Sequence, residues 1–144
     1  MSQENVELVR ALQPDPDVNL AALVRDDDLS AAQVEAAAPY LDPAFECVQN
    51  VFGAPKIYYG PEGLRAMLLD WLAPWETYRS QIEEIIDCGE QVIVLGHLFG
   101  RRQGSIREIS AELADVWTVR CRKLLLWEAF SNRAEALKAV GLEE

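Results

Sequence analysis

Apolar side chains recur at helical spacing over the first dozen residues, with Val6, Val9 and Leu12 on one stripe and Ser2 or Asn5 available as a cap. The chain is therefore predicted to open with a short helix. The run "QPDPD" ends it, because proline fixes φ and removes a backbone donor. Two further helical stretches follow, around "NLAALVRDD" and in the alanine-rich "SAAQVEAAAPYL", and Pro39 and Pro43 close them; residues 13–44 thus read as a proline-broken helical insert. "AFECVQNVF" alternates apolar and polar positions and predicts a strand, and "GAPKIYYGPEG", rich in turn formers, is expected to be a loop. The strongest amphipathic signal lies in "PEGLRAMLLDWLAPWETY", where Leu64, Met67, Leu68, Trp71 and Trp75 fall on one helical stripe and Pro74 stands ready to end or kink it.

After this helix the apolar period drops to two. "YRSQIEEIID", "EQVIVLGHLFG", "IREISAELADVWTVR" and "KLLLWEAFS" read as four consecutive strands joined by turns at "DCGE", "RRQGS" and "RCRK". "SNRAEALKAVGLEE" reads as a last helix, capped by Ser131 or Asn132 and ended by Gly141. Helices first and a strand meander afterwards is an α+β pattern, with a sheet wrapped around a helical layer. No repeat or linker interrupts it, so residues 1–144 are read as one domain.

Composition narrows the function. With 50% hydrophobic residues among 144, the chain can bury a core without help from metals or disulfides. Its 24 acidic residues outnumber 13 basic ones, and a formal charge of −11 argues against nucleic acid or an anionic membrane surface as partner. Three widely spaced cysteines (Cys47, Cys88, Cys121), one histidine and no CxxC pair speak against a structural zinc and for a reducing cytoplasm. The N-terminus lacks the basic-then-apolar order of a signal peptide, and no apolar run approaches the ~18 residues of a membrane span.

The order of elements, the helix "GPEGLRAMLLDW", the turn "DCGEQVIVL" and the ending "DVWTVRCRKLLLWEAFSNRAEALKAVGL" together resemble the nuclear transport factor 2-like superfamily. Within it the similarity is to bacterial SnoaL-like proteins, a group that contains polyketide cyclases and borders the ketosteroid isomerases. The resemblance implies a cone-shaped roll: a strongly curved mixed sheet packed against about three helices around an apolar pocket. It also implies an acid or base on the pocket-facing side of the sheet, and a homodimer through the convex face.

Strand parity sorts the two acids of "ISAELADVWTVR". Ala111, Leu113, Asp115, Trp117 and Val119 share one face, and Glu112 lies on the other. Asp115 has the more apolar company, so its pKa should rise, and a neutral acid there would donate to an enolate oxygen. The resemblance implies the same role, since related isomerases place an oxyanion-binding acid in this region. The alternatives are a loop cap, an arginine pair or a watered sheet edge; Glu112 is expected outside.

His97 shares a face with Ile93, Leu95 and Phe99. The resemblance implies that a strand histidine assists the aspartate, whereas the residues alone fit a satisfied core histidine equally. Glu128, with Leu126 and Phe130, is implied to face the pocket, its alternative being a salt bridge to Arg120, Arg122 or Lys123; Trp127 is then expected on the convex, dimer-forming face. Trp71 and Trp75 are core residues of a stripe that in this fold lines the cavity, as would Trp117. Tyr58 and Tyr59 are expected at the entrance. Where ketosteroid isomerases carry their proton-abstracting aspartate this chain has Val48 or Cys47, and the oxyanion-hole tyrosine is replaced near Leu12. The turn "RCRK" lacks the glycine that supplies positive φ, so this hairpin is expected to be longer or strained.

Two functions follow from these expectations. One is a cofactor-independent enzyme, without metal, that carries out cyclisation, isomerisation, dehydration or epoxide hydrolysis on an apolar small molecule, with Asp115 as acid/base, His97 assisting, and Glu128, Trp71, Trp75, Trp117, Phe130 and Tyr59 around the substrate. The other is a non-catalytic ligand-binding or dimeric interaction module of the same fold.

Overall fold

The structure, a computed structural model, describes residues 2–50 and 54–142. Met1, the Val51–Phe52 end of the predicted first strand, Gly53, and Glu143 and Glu144 at the end of the predicted last helix lie outside the described residues. The described residues form a six-stranded mixed sheet and five α-helices: α1 (Ser2–Leu12), α2 (Leu20–Arg25), α3 (Asp27–Ala37), β1 (Leu41–Gln49), β2 (Lys56–Tyr59), α4 (Gly60–Leu72), β3 (Trp75–Cys88), β4 (Gln91–Arg102), β5 (Glu108–Arg120), β6 (Lys123–Phe130) and α5 (Arg133–Ala139). The sheet order is β2-β1-β6-β5-β4-β3; β1 runs parallel to β6 and every other neighbouring pair is antiparallel. No helix among the described residues is long and apolar enough to cross a membrane.

Three elements differ from their sequence reading. β1 begins at Leu41 and runs through Pro43, so the last residues of the stretch read as a helical insert are strand. The expected loop before α4 contains β2, a four-residue edge strand whose Tyr58 is buried and whose Ile57 and Tyr59 are exposed. α4 stops at Leu72 because Pro74 cannot continue it, and Trp75 opens β3 instead of adding a turn to the helix. The insert is held to the sheet edge by Asn19, whose Oδ1 caps α2 by accepting from the Ala21 and Ala22 N–H groups. The same oxygen accepts from the Tyr78 N–H of β3 at 3.0 Å. Arg25 at the other end of α2 donates to the Trp75 carbonyl.

The sheet bends where β3 changes register against β4 between Ile82 and Glu84. Gly96 sits opposite Ile82, and a Cβ there would collide with the Gln81 carbonyl; at Gly100 it would come within 2.6 Å of the Trp75 ring. The inner face of the sheet packs on α1 and α4 through Phe45, Cys47, Val92, Val94, Trp117 and Val119, with Val9 and Met67 from the helices. The outer face carries Ile93, Leu95, Ala114 and Val116, and α5 covers them with Ala136 and Leu137. Asn132 caps α5 through the Glu135 N–H.

The β5–β6 turn has two residues, with Cys121 at φ 54° and Arg122 at φ 64°. It is thus the tight, strained alternative, with two non-glycine side chains in the left-handed region.

Candidate functional site

Asp115 lies on the inner face of β5, 8% exposed, beside Val94 on β4 and Ala129 on β6. Burial pushes its carboxyl from 3.8 up to about 7, and the Trp127 indole draws it partly back. The N–H of that indole nevertheless makes no hydrogen bond of good geometry. The next row of the sheet holds Trp117 and Trp127, whose rings stack with centroids 4.9 Å apart and planes 5° from parallel. Tyr78, buried on β3, meets Trp71 edge to face at 6.3 Å and Trp75 at 5.5 Å. Its phenol is held above its ordinary pKa by burial first, with the Asp115 charge adding to the rise.

His97 does not join this group. The β4–β5 register runs unbroken, pairing Val94 with Asp115 and His97 with Glu112, so three residues of separation put His97 on the outer face. There its Nδ1 lies 2.7 Å from Glu83 Oε1, with the ring 45% exposed. Glu112 is exposed on the same face and accepts from the Arg133 N–H at 2.8 Å, at the start of α5.

Glu128 and Phe130 also turn outward, and Trp127 turns inward, the reverse of the expected facing. The cause is one residue. The turn pairs Arg120 with Lys123 and Val119 with Leu124, but Thr118 then pairs with Leu126, leaving Leu125 as a bulge. Counting from the turn without the bulge would set Asp115 against Glu128; with it, Asp115 faces Ala129. Glu128 is half-buried beside Val116 on the outer face, where burial raises its pKa. Tyr59 is 67% exposed on β2 and the buried member of the pair is Tyr58, whose hydroxyl donates to Asp70 at 2.7 Å. Of the expected lining residues, Trp71, Trp75 and Trp117 are those on the helix-covered side of the sheet.

Two inward residues were not anticipated. Trp127 was assigned to the wrong face. Gln49, 7% exposed, stands in the row of Asp115 on the far side of Ala129, and its Oε1 has no partner. Val48 faces outward opposite Glu128, so the inward β1 positions are Cys47 and Gln49. Cys47 is no nucleophile here, since burial pushes its thiol to about 12.

The sequence matches the model of the SnoaL-like domain over residues 8–127. No curated protein matches it significantly. Among solved structures, TerC co-crystallised with polyporic acid is 18% identical with a TM-score of 0.60, covering 83% of this chain and 95% of that one. A ketosteroid isomerase-like protein from Catenulispora acidiphila in complex with trimethylamine is 16% identical with a TM-score of 0.60, covering 90% and 95%. An NTF2-like protein of unknown function from Burkholderia pseudomallei is 17% identical with a TM-score of 0.60, covering 86% and 98%. These likenesses establish the fold, and the match from residue 8 to residue 127 establishes the family: the chain belongs to the SnoaL-like domain family.

Proposed function

We propose that this protein takes an apolar, carbonyl-bearing small molecule against the inner face of its sheet and uses Asp115 as a single acid/base group, with no metal or organic cofactor. The observation that carries the reading is one carboxyl, buried among Val94, Ala129 and Trp127, with a pKa near 7. At neutral pH both of its forms are populated. The neutral acid donates to an oxygen on which negative charge develops, and the carboxylate accepts a proton from carbon next to that carbonyl. Isomerisation, aldol-type cyclisation, dehydration and epoxide hydrolysis all fit such a group. The ligands crystallised with TerC and with the Catenulispora protein support a small organic ligand in this fold.

A second reading, a binding module without catalysis, is favoured by one observation: the neighbour of Asp115 across Ala129 is the amide of Gln49, which transfers no proton, and His97 is on the other face. The two readings separate on Asp115→Asn. As an enzyme the variant keeps ligand affinity within a few-fold and loses about 10²–10⁴ in turnover, followed by mass spectrometry of carbonyl substrates. As a binder, wild type and variant both return the ligand unchanged.

For a partner we propose a second copy of this chain on the part of the outer face that α5 leaves open, where Ile57 and Tyr59 are exposed. Tyr59 takes the place in that contact that Trp127, being inward, cannot. With Cys47, Cys88 and Cys121 all free thiols, we place the protein in the cytoplasm.

A further inference from the structure

Asp115, Tyr78 and Trp117 are each less than a tenth exposed, so a small molecule reaches them only when an element of the fold moves. The approach is visible along β5. Its inward side chains pass from Ile109 and Ala111, both exposed, through half-buried Leu113 to buried Asp115. Opposite Leu113 stands Gly96, which raises no side chain, and opposite Ala111 stands Leu98. Leu98 belongs to a cluster separate from the main core, formed with Leu72, Trp75 and Tyr78 and closed by Ala21 and Val24 of α2. Helix α2 therefore flanks the exposed stretch of β5, and beneath it lies Tyr78, whose phenol feels the charge of Asp115.

Of the helices on this side of the sheet, α2 is the most weakly held. α1 sets Val6 and Val9 into the main core, and α4, thirteen residues long, buries Gly63, Met67 and Leu72. α2 has six residues, too few to stay helical unaided, and buries only the small side chains of Ala21 and Val24. α3, which follows it, buries Ser30 and is tied to α4 by the exposed pair of Arg65 with Asp27 at 3.4 Å. Two polar clips fasten α2 to β3, the terminal strand of the sheet: Asn19 Oδ1 accepts from the Tyr78 N–H at 3.0 Å, and Arg25 donates to the Trp75 and Glu76 carbonyls. Both ends of the helix are jointed. Pro14 and Pro16 precede it, and Asp26 alone, extended at φ −82° and ψ 109°, separates it from α3.

We infer that α2 is a gate: it swings off the edge of β3 when the Asn19 and Arg25 clips break, opens the path that runs from Ala111 to Asp115, and closes again over the bound molecule. Holding contacts this few leave the open form at roughly 0.1–10% of molecules. The inference rests on the small-molecule reading above and adds to it the route by which the site fills.

The first arm of the test is native-state hydrogen exchange on the full wild-type chain. The Leu23 and Tyr78 amides, which bond to the Asn19 carbonyl and side chain, should exchange together, about a hundredfold faster than the amides of the β4–β5 ladder and with little dependence on urea. Exchange of these two amides only with the ladder overturns the gate, leaves the small-molecule reading standing, and needs no variant to fold. The second arm follows a neutral fluorescent ketone, propionyl-dimethylaminonaphthalene, by stopped flow. Asn19→Ala should raise its association and dissociation rates together about tenfold while Kd stays within about twofold, because the clip is lost equally from the free and the occupied closed forms. Rates that Asn19→Ala leaves unchanged overturn the gate and place the entrance elsewhere. Failure of the ketone to bind wild type removes the small-molecule reading and this inference with it.

Discussion

Three residues apart on β5, Glu112 and Asp115 stand on opposite faces of the sheet and meet opposite environments. Glu112 is exposed and its carboxylate receives a backbone N–H from the start of α5. Asp115 is buried, receives no backbone donor, and keeps its proton to about pH 7. The same contrast separates the outer-face His97, paired with Glu83 in water, from the inner-face Gln49, sealed in with an unpaired oxygen. What differs is solvation, and it is set by strand parity. On the outer face His97 and Glu112 have partners and carry little latent chemistry; on the inner face Asp115 and Gln49 are held in an unfavourable state.

The largest test of that contrast is Trp127→Ala. If Trp127 supports the inner face by stacking on Trp117, its loss costs about 3–4 kcal/mol in urea unfolding; a solvent-exposed tryptophan on the open part of the outer face would cost less than about 1 kcal/mol. Next is Asp115→Asn. The unfolded chain releases this proton near 3.8 and the folded chain near 7, so between those values the folded state holds more protons and stability falls as pH rises. The cost is absent below the unfolded value and complete above the folded one. At roughly 1.4 kcal/mol per pH unit it reaches about 4 kcal/mol. Asp115→Asn should therefore be about 2–4 kcal/mol more stable than wild type at about pH 8, and should lose the pH slope that wild type shows between about pH 4 and about pH 7.

A smaller effect is expected at the β5–β6 turn, where Arg122→Gly removes a side chain from the left-handed region and should raise stability by about 1 kcal/mol, read as an increase in Tm. Smallest is His97→Gln, which breaks one exposed pair and should change stability by less than about 0.5 kcal/mol. A large loss there would erase the distinction between the faces.

The elements themselves were legible because their apolar periods are clean: α1, α4, and β3 to β6 all sit where the spacing of Val, Ile and Leu puts them. β2 was missed because four residues between glycines and prolines carry too little alternation to outweigh their turn-forming neighbours. Trp75 was misassigned because it continues the helical stripe of Trp71 numerically, while Pro74 breaks it physically. At the site, the facing of Asp115 could be read from Leu113 and Trp117 alone. The facing of Trp127 and Glu128 could not, since a single bulge at Leu125 inverts all of β6 beyond it and nothing in "KLLLWEAF" marks which leucine is unpaired. Gln49 was invisible for another reason: its place beside Asp115 depends on β1 pairing in parallel with β6, a contact between segments some eighty residues apart.

The most direct measurement is the NMR titration of the Asp115 side-chain carboxyl carbon in the full-length protein, with Asp115→Asn identifying the signal. An apparent pKa near 7, unchanged in His97→Gln, is the predicted result. A titration midpoint near the ordinary 3.8, or one that moves when His97 is replaced, would contradict the picture of a lone neutral acid held on the inner face.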